Sequence, residues 1–294
     1  MSLVRAGIRN AALAIAACGA GALAQDLTNY SVERIHAGLH FAEGPAWSGE
    51  AVLWSDTVTN KLYIWNGKGP AQPSDRPGGS IGNAFDPSGR LYSCEFRERR
   101  VTRFDSKKSK LDVLADKFEG KRLNAPNDIV VRKDGHVWFT DPAFGNQADH
   151  RELDFYGVFH ITPKGEIEAV AKWKTRPNGI TLSPNGRTLY VANSDERAIY
   201  AFDLDRGANA SNGRVVISSI EGVPGGIRTD EKGNLYVAAK HLFVFTHDAK
   251  PLGKIELAEP PSNCTFGDGD LSTLYITART SVFRVKIGVK GAAY

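Results

Sequence analysis

Much that would point to other kinds of protein is missing from this chain. Net charge is small: 37 Lys and Arg against 33 Asp and Glu leave +4 over 294 residues. The two signs are evenly mixed, which excludes the basic footprint of a nucleic-acid-binding surface. The one basic cluster, Arg97, Arg99, Arg100 and Arg103 broken by Glu98, reads as a solvated strand edge. No apolar run is long enough to span a bilayer as a helix. No His and Cys fall at zinc-ligand spacing. No G-x-S-x-G is present, so a serine nucleophile elbow is excluded. After the first two dozen residues there is no apolar pattern of period 3.6 and no linker-like stretch, which argues against helices and against a second domain. Cysteine is scarce, with Cys18, Cys94 and Cys264 the only three.

The beginning of the chain differs from the rest. Arg5 and Arg9 precede a small apolar run, Ala11 to Ala17, followed by Ala22-Leu23-Ala24. This is the layout of a secretory signal peptide, expected over 1–24 with cleavage after Ala24. Ile15-Ala16-Ala17-Cys18 offers the alternative of a lipoprotein box, with Cys18 lipidated. Either way the mature protein is expected outside the cytoplasm, in a bacterial periplasm. Cys94 and Cys264 would remain in it, expected as separate buried thiols, with a disulfide between them the alternative.

What the chain does have is repetition. The stretch Pro177-Asn178-Gly179-Ile180-Thr181-Leu182-Ser183-Pro184-Asn185-Gly186, followed by Leu189-Tyr190-Val191, is a short strand, a glycine turn and a second strand. Related units begin at Glu43, near Phe85, at Asn127, at Gly226 and at Ser262. Most are followed by a third, alternating strand such as Ala198-Ile199-Tyr200-Ala201-Phe202, and several by a fourth such as Gly165 to Val170. Six copies of four antiparallel strands, roughly 40–50 residues each, predict an all-β six-bladed β-propeller over 25–294. The stretch Ala143 to Asp154 is the main insertion and is expected to cap a mouth of the channel.

In a propeller the innermost strand of each blade lines the channel, so equivalent positions form a ring. The Asn178 position corresponds to Glu43, Ile81, Asn127, Gly225 and Ser262 in the other copies. One carboxylate and two amide oxygens, from Glu43, Asn127 and Asn178, suit a hard cation such as Ca²⁺ or Mg²⁺. Each Asn taken alone also fits a turn, since Asn tolerates positive φ. Glu43 is harder to explain so, because a carboxylate among Phe41, Ala42, Pro45 and Trp47 needs a partner.

The stretches Glu43-Gly44-Pro45, Arg122 to Asp128, Phe139-Thr140-Asp141-Pro142, Arg176-Pro177-Asn178-Gly179 and Leu274-Tyr275-Ile276-Thr277 resemble the senescence-marker, gluconolactonase and luciferin-regenerating-enzyme family, also called regucalcin-like. The resemblance runs over essentially the whole mature chain. It implies a six-bladed propeller with a divalent cation in the channel, Ca²⁺ first and Mg²⁺, Mn²⁺ or Zn²⁺ as alternatives. It also implies hydrolysis of small cyclic esters, typically sugar lactones. By the same resemblance Glu43, Asn127 and Asn178 match the metal ligands, and Arg122 and Asn127 the substrate-binding positions. The chain departs from the family at Val223-Pro224-Gly225, where Gly225 stands in place of an Asp that serves as both ligand and base. Asp128 and Asp141 are the expected substitutes as base. Returning an Asp to position 225 is expected to tighten cation binding. The alternative is a periplasmic small-molecule-binding propeller without catalysis. A monomer is expected, without nucleic acid and without a membrane span.

Overall fold

The computed structural model describes residue 27 and residues 30–74 and 79–294. The expected signal peptide, its cleavage point and Cys18 lie outside the described residues. Six four-stranded antiparallel sheets follow one another along the chain. Their innermost strands are Ala42–Trp47, Ser80–Phe85, Ile129–Val131, Pro177–Leu182, Ile227–Thr229 and Asn263–Gly267. Each of these contacts the innermost strand of the next blade, and the sixth contacts the first, so the sheets close into a ring. The six-bladed propeller expected from the repeats is therefore the fold.

Blades 1 to 5 each run outward in chain order. Blade 6 does not. Its outer strand is Val32–Ala37, which precedes blade 1 in sequence and pairs antiparallel with Ser281–Lys286. The ring is thus fastened by backbone hydrogen bonds between its two ends. Glu33 Oε2 and Arg284 Nε add an ion pair at 2.8 Å across that seam.

Burial falls off from axis to rim. The second strands Leu91–Glu95 and Val137–Asp141 are buried on both faces, because each is sandwiched between neighbouring blades. The outer strands Lys110–Ala115 and Ala210–Ile217 are largely exposed. Accordingly the apolar core is divided into inter-blade layers. Tyr92, Cys94 and Val101 of blade 2 meet Leu123, Phe139 and Phe159 of the third. Tyr236 and Val244 of blade 5 meet Cys264, Ile276 and Phe283 of the sixth. The two cysteines sit in these two separate layers, buried and free, so no disulfide forms between them.

The turn of the repeat has a recurring anchor. Asp86 accepts from the amides of Ser88 (2.9 Å) and Arg90 (3.0 Å) and from the Tyr92 hydroxyl (3.3 Å). Asp230 does the same for Lys232, Asn234 and the Tyr236 hydroxyl. A carboxylate that satisfies turn amides and a buried phenol explains why an acidic residue opens the turn and a Tyr follows it. Among the described residues no helix is long and apolar enough to cross a membrane.

Candidate functional site

All six ring positions lie at one mouth of the channel, at or just before the start of the innermost strands. Backbone contacts lead round from each to the next. Gly82 N donates to Asn127 O at 2.6 Å, Gly179 N to Gly225 O at 3.0 Å, and Gly226 N to Ser262 O at 2.8 Å. Thr140 Oγ1 donates to Asn178 O at 2.7 Å, and Ser262 Oγ to Ala42 O at 2.6 Å. The approach is this close because the residue after the ring position is glycine in four blades. A Cβ on Gly82 would lie 2.4 Å from Asn127 O, and one on Gly179 2.3 Å from Gly225 O. In the other two blades the following residue is Asp128 or Asn263. Both side chains occupy space that glycine leaves: a Cβ on Gly82 would touch Asp128, and one on Gly226 would overlap Asn263.

Glu43, Asn127 and Asn178 are brought to this one mouth, and their oxygens are available. Glu43 Oε2 accepts from Gly44 N at 2.9 Å and from Asn263 Nδ2 at 3.3 Å. Its Oε1 has no hydrogen bond among the described residues. Asn178 commits Nδ2 to Ser194 Oγ at 3.0 Å, and Ser194 Oγ donates on to Pro224 O at 2.9 Å. That fixes the amide and leaves Asn178 Oδ1 without a partner among the described residues. The Asn127 side chain has none there either. Burial raises the Glu43 carboxyl to about 7; the Gly44 amide, Asn263 and Arg228 oppose the shift, and the Asp128 charge adds to it. A half-buried carboxylate with a free oxygen, on the same mouth as two amides with free oxygens, fits a hard divalent cation in donor chemistry. Among the described residues no three His, Cys, Asp or Glu cluster as metal ligands, so a cation here would be held mostly by neutral oxygens.

Below the ring the channel holds an ion pair. Arg228 Nη1 donates to Asp128 Oδ2 at 3.2 Å and to Ile227 O at 2.7 Å. Burial opposes the Arg228 charge, but Asp128 together with Cys264 and Tyr294 raises the Arg228 pKa. Asp128 also accepts from Ile129 N at 2.9 Å and Ile180 N at 3.3 Å.

The two expected bases are therefore both engaged in the fold. Asp128 at least lies in the channel beside Asn127. Asp141 does not reach it: it is fully buried, and its two oxygens accept from Asn124 N at 2.7 Å and Ala125 N at 2.8 Å. Burial raises it to about 7 against those two amides. In this position the Asp141 carboxylate shapes the segment that delivers Asn127. Arg122 is exposed, with Nη2 donating to Glu98 O at 3.0 Å, and it does not line the cavity at Asn127.

Position 225 also differs from expectation. A Cβ there would lie 2.5 Å from Ser262 O, a backbone atom that the Gly226 amide holds in place. The gap left by the missing carboxylate is already filled by the neighbouring blade.

Two cavities open on the channel. One of about 450 Å³ includes Asn127 and is walled by Val58, Ile81, Phe96, Phe144 and Gln147. Phe144 begins the insertion, whose 3₁₀ turn Gly145–His150 stands over this mouth as expected. The other, about 560 Å³, lies at the opposite ends of the inner strands, against Trp47, Phe85, Arg228, Phe266 and Tyr294. Although larger, it is lined by none of Glu43, Asn127 and Asn178. The Tyr294 hydroxyl bonds to Thr181 Oγ1 at 2.6 Å and Thr229 Oγ1 at 2.8 Å beside it. The chemistry of the ring, not cavity size, selects the first mouth.

Sequence reasoning missed Asn263, Ser194 and Arg228, which orient or neutralise the ring residues. Asn263 had a legible signal, as one of two non-glycine residues at a position that is glycine in four of six copies.

Residues 41–280 match the family described as SMP-30/Gluconolactonase/LRE-like region. The chain belongs to the SMP-30/gluconolactonase/LRE-like family. It is 31% identical over 288 residues to the gluconolactonase of Zymomonas mobilis, spanning 87% of this chain and 81% of that protein. A gluconolactonase structure from Xanthomonas campestris superposes with a TM-score of 0.82 at 32% identity, covering 90% of this chain and 92% of that one. The calcium-binding protein regucalcin from Agrobacterium tumefaciens superposes with a TM-score of 0.75 at 18% identity, covering 90% and 96%, which speaks to the fold alone.

Proposed function

We propose that this chain is a lactone hydrolase of the gluconolactonase kind, opening small cyclic esters at the Glu43 mouth of the channel. The observation that carries the proposal is the set of unpartnered oxygens on Glu43, Asn127 and Asn178 at one mouth. Two gluconolactonases above 30% identity, matched over most of their length, support it. In this reading the three residues hold a divalent cation, Ca²⁺ foremost. When bound, such a cation polarises the ester carbonyl toward attack by water. Asn263 and Ser194 keep the Glu43 and Asn178 oxygens in place. Asp128, next to Asn127 in the channel, takes the proton of the attacking water, with Arg228 holding its carboxylate in position. The mature chain is proposed to be an exported monomer cut after Ala24, with a lipid anchor at Cys18 the alternative.

A second reading is a small-molecule-binding propeller without turnover. It is favoured by Gly225, which contributes neither ligand nor base. One experiment separates the two: aldonolactone hydrolysis by the purified full chain with and without chelator, beside elemental analysis of bound metal. The hydrolase reading expects turnover that chelator abolishes and added Ca²⁺ restores. Turnover indifferent to both chelator and Glu43→Gln overturns the cation's part in it. Lactone binding without turnover establishes the second reading.

A further inference from the structure

We propose that the cavity bounded by Val58, Ile81, Phe96 and Phe144 receives an apolar substituent on the lactone ring. The preferred substrates are then alkyl- or aryl-substituted lactones rather than polyhydroxylated ones. This rests on the lactone-hydrolase reading and narrows it.

The argument begins at the ring. Ile81 is the ring residue between Glu43 and Asn127, and it offers no hydrogen bond where three of its counterparts are Glu or Asn. The cavity opens beside it and includes Asn127, so a ligand engaged at Asn127 has this space next to it. Its outer wall carries Val58, 57% exposed. An exposed valine at the cavity rim offers apolar area that a ligand in the cavity can cover.

Of the polar side chains in the lining, Thr57 and Arg97 are engaged with protein, and Asn127 and Gln147 have no such partner among the described residues. Thr57 Oγ1 donates to Phe41 O at 3.3 Å. Arg97 Nη2 donates to Val58 O at 3.1 Å, and its guanidinium lies 5.4 Å from the Phe96 ring centre. Across the cavity, Arg176 stands 4.9 Å from the Phe144 ring centre and is itself held by Asp195, Nη2 to Oδ1 at 2.5 Å. Two arginines therefore brace the aromatic walls and spend donors on carbonyls and a carboxylate. A polyol placed here would give up water and find few partners, which is costly. An alkyl or aryl arm would cover Val58, Ile81, Phe96 and Phe144. Gln147 remains as a polar group at the edge, suited to a single ester oxygen or hydroxyl.

The test uses the full chain and three δ-lactones: unsubstituted δ-valerolactone, δ-decalactone with its pentyl arm, and δ-gluconolactone. Each buried methylene is worth roughly fourfold in kcat/KM. δ-Decalactone is therefore expected to exceed δ-valerolactone by about tenfold or more, and to exceed δ-gluconolactone. Val58→Asp is expected to cut the decalactone-to-valerolactone ratio by about tenfold. Phe96→Ser provides an independent second variant with the same expected direction. A higher kcat/KM for δ-gluconolactone than for δ-decalactone, or an unchanged ratio in both variants, overturns the proposal while leaving lactone hydrolysis standing. If no lactone is turned over, the hydrolase reading fails. Calorimetric titration with δ-decalactone then decides: saturable binding weakened by Val58→Asp supports the apolar pocket, and no binding refutes it.

Discussion

Glu43 sets up an opposition between stability and function that a single substitution can measure. In cation-free protein its carboxyl is raised from the ordinary 4.5 to about 7. A carboxyl with a raised folded-state value destabilises the fold when it ionises. The penalty is absent below pH 4.5, grows between 4.5 and 7, and is complete above 7. At 1.36 kcal/mol for each tenfold change the full penalty is at most ~3 kcal/mol, and partial exposure reduces it to ~1–3 kcal/mol. Gln keeps the acceptor that faces Gly44 N and Asn263 Nδ2 and removes the charge. With chelator present, Glu43→Gln is therefore expected to raise Tm at pH 8 by about 3–10 °C and to leave it unchanged at pH 4.5. With Ca²⁺ present, wild type gains from binding what the variant cannot, by RT ln(1 + [L]/Kd), and the order reverses. Thermal unfolding followed by circular dichroism at the two pH values, with chelator and with Ca²⁺, measures all four cases. Equal Tm shifts at pH 4.5 and pH 8 would refute the burial argument. A Ca²⁺ gain undiminished in the variant would refute Glu43 as the ligand that matters.

Three further outcomes follow from the same geometry. Gly225→Asp is expected to lower Tm without tightening Ca²⁺, because its Cβ meets Ser262 O at 2.5 Å; calorimetry showing tighter Ca²⁺ at unchanged stability would restore the original expectation. Asp128→Asn strips the charge partner from buried Arg228 and is expected to cost about 3–5 kcal/mol in urea unfolding, whereas Asp128→Asn with Arg228→Met should recover much of that; a single variant as stable as wild type would show that the pair is unimportant. Removing residues 30–37 exposes the edge of Ser281–Lys286 and should give concentration-dependent association in light scattering, a result that a monodisperse truncated chain would contradict.

Periodicity carried much of this protein. Six copies of strand, turn and Tyr-bearing strand are enough to imply six blades, because no single copy can bury both faces without neighbours. Equivalent repeat positions then had to share one mouth, which is why Glu43, Asn127 and Asn178, the first and last 135 positions apart, could be grouped with no contact information. What repetition could not show is where repeats differ in space. The closing strand Val32–Ala37 belongs to the last blade, and pairing across the whole chain leaves no local mark. Asp128 and Asp141 look alike as strand-flanking acids and each accepts from two backbone amides, yet only Asp128 meets Arg228 in the channel. Gly225 reads as a vacancy in a string of letters, but the Ser262 carbonyl of the adjacent blade already stands there. Blade number and the membership of the ring follow from a repeating backbone, so they can be read along one dimension. Which side chains within reach of that ring are free to act depends on the neighbouring blade, and so emerges only once the blades are packed.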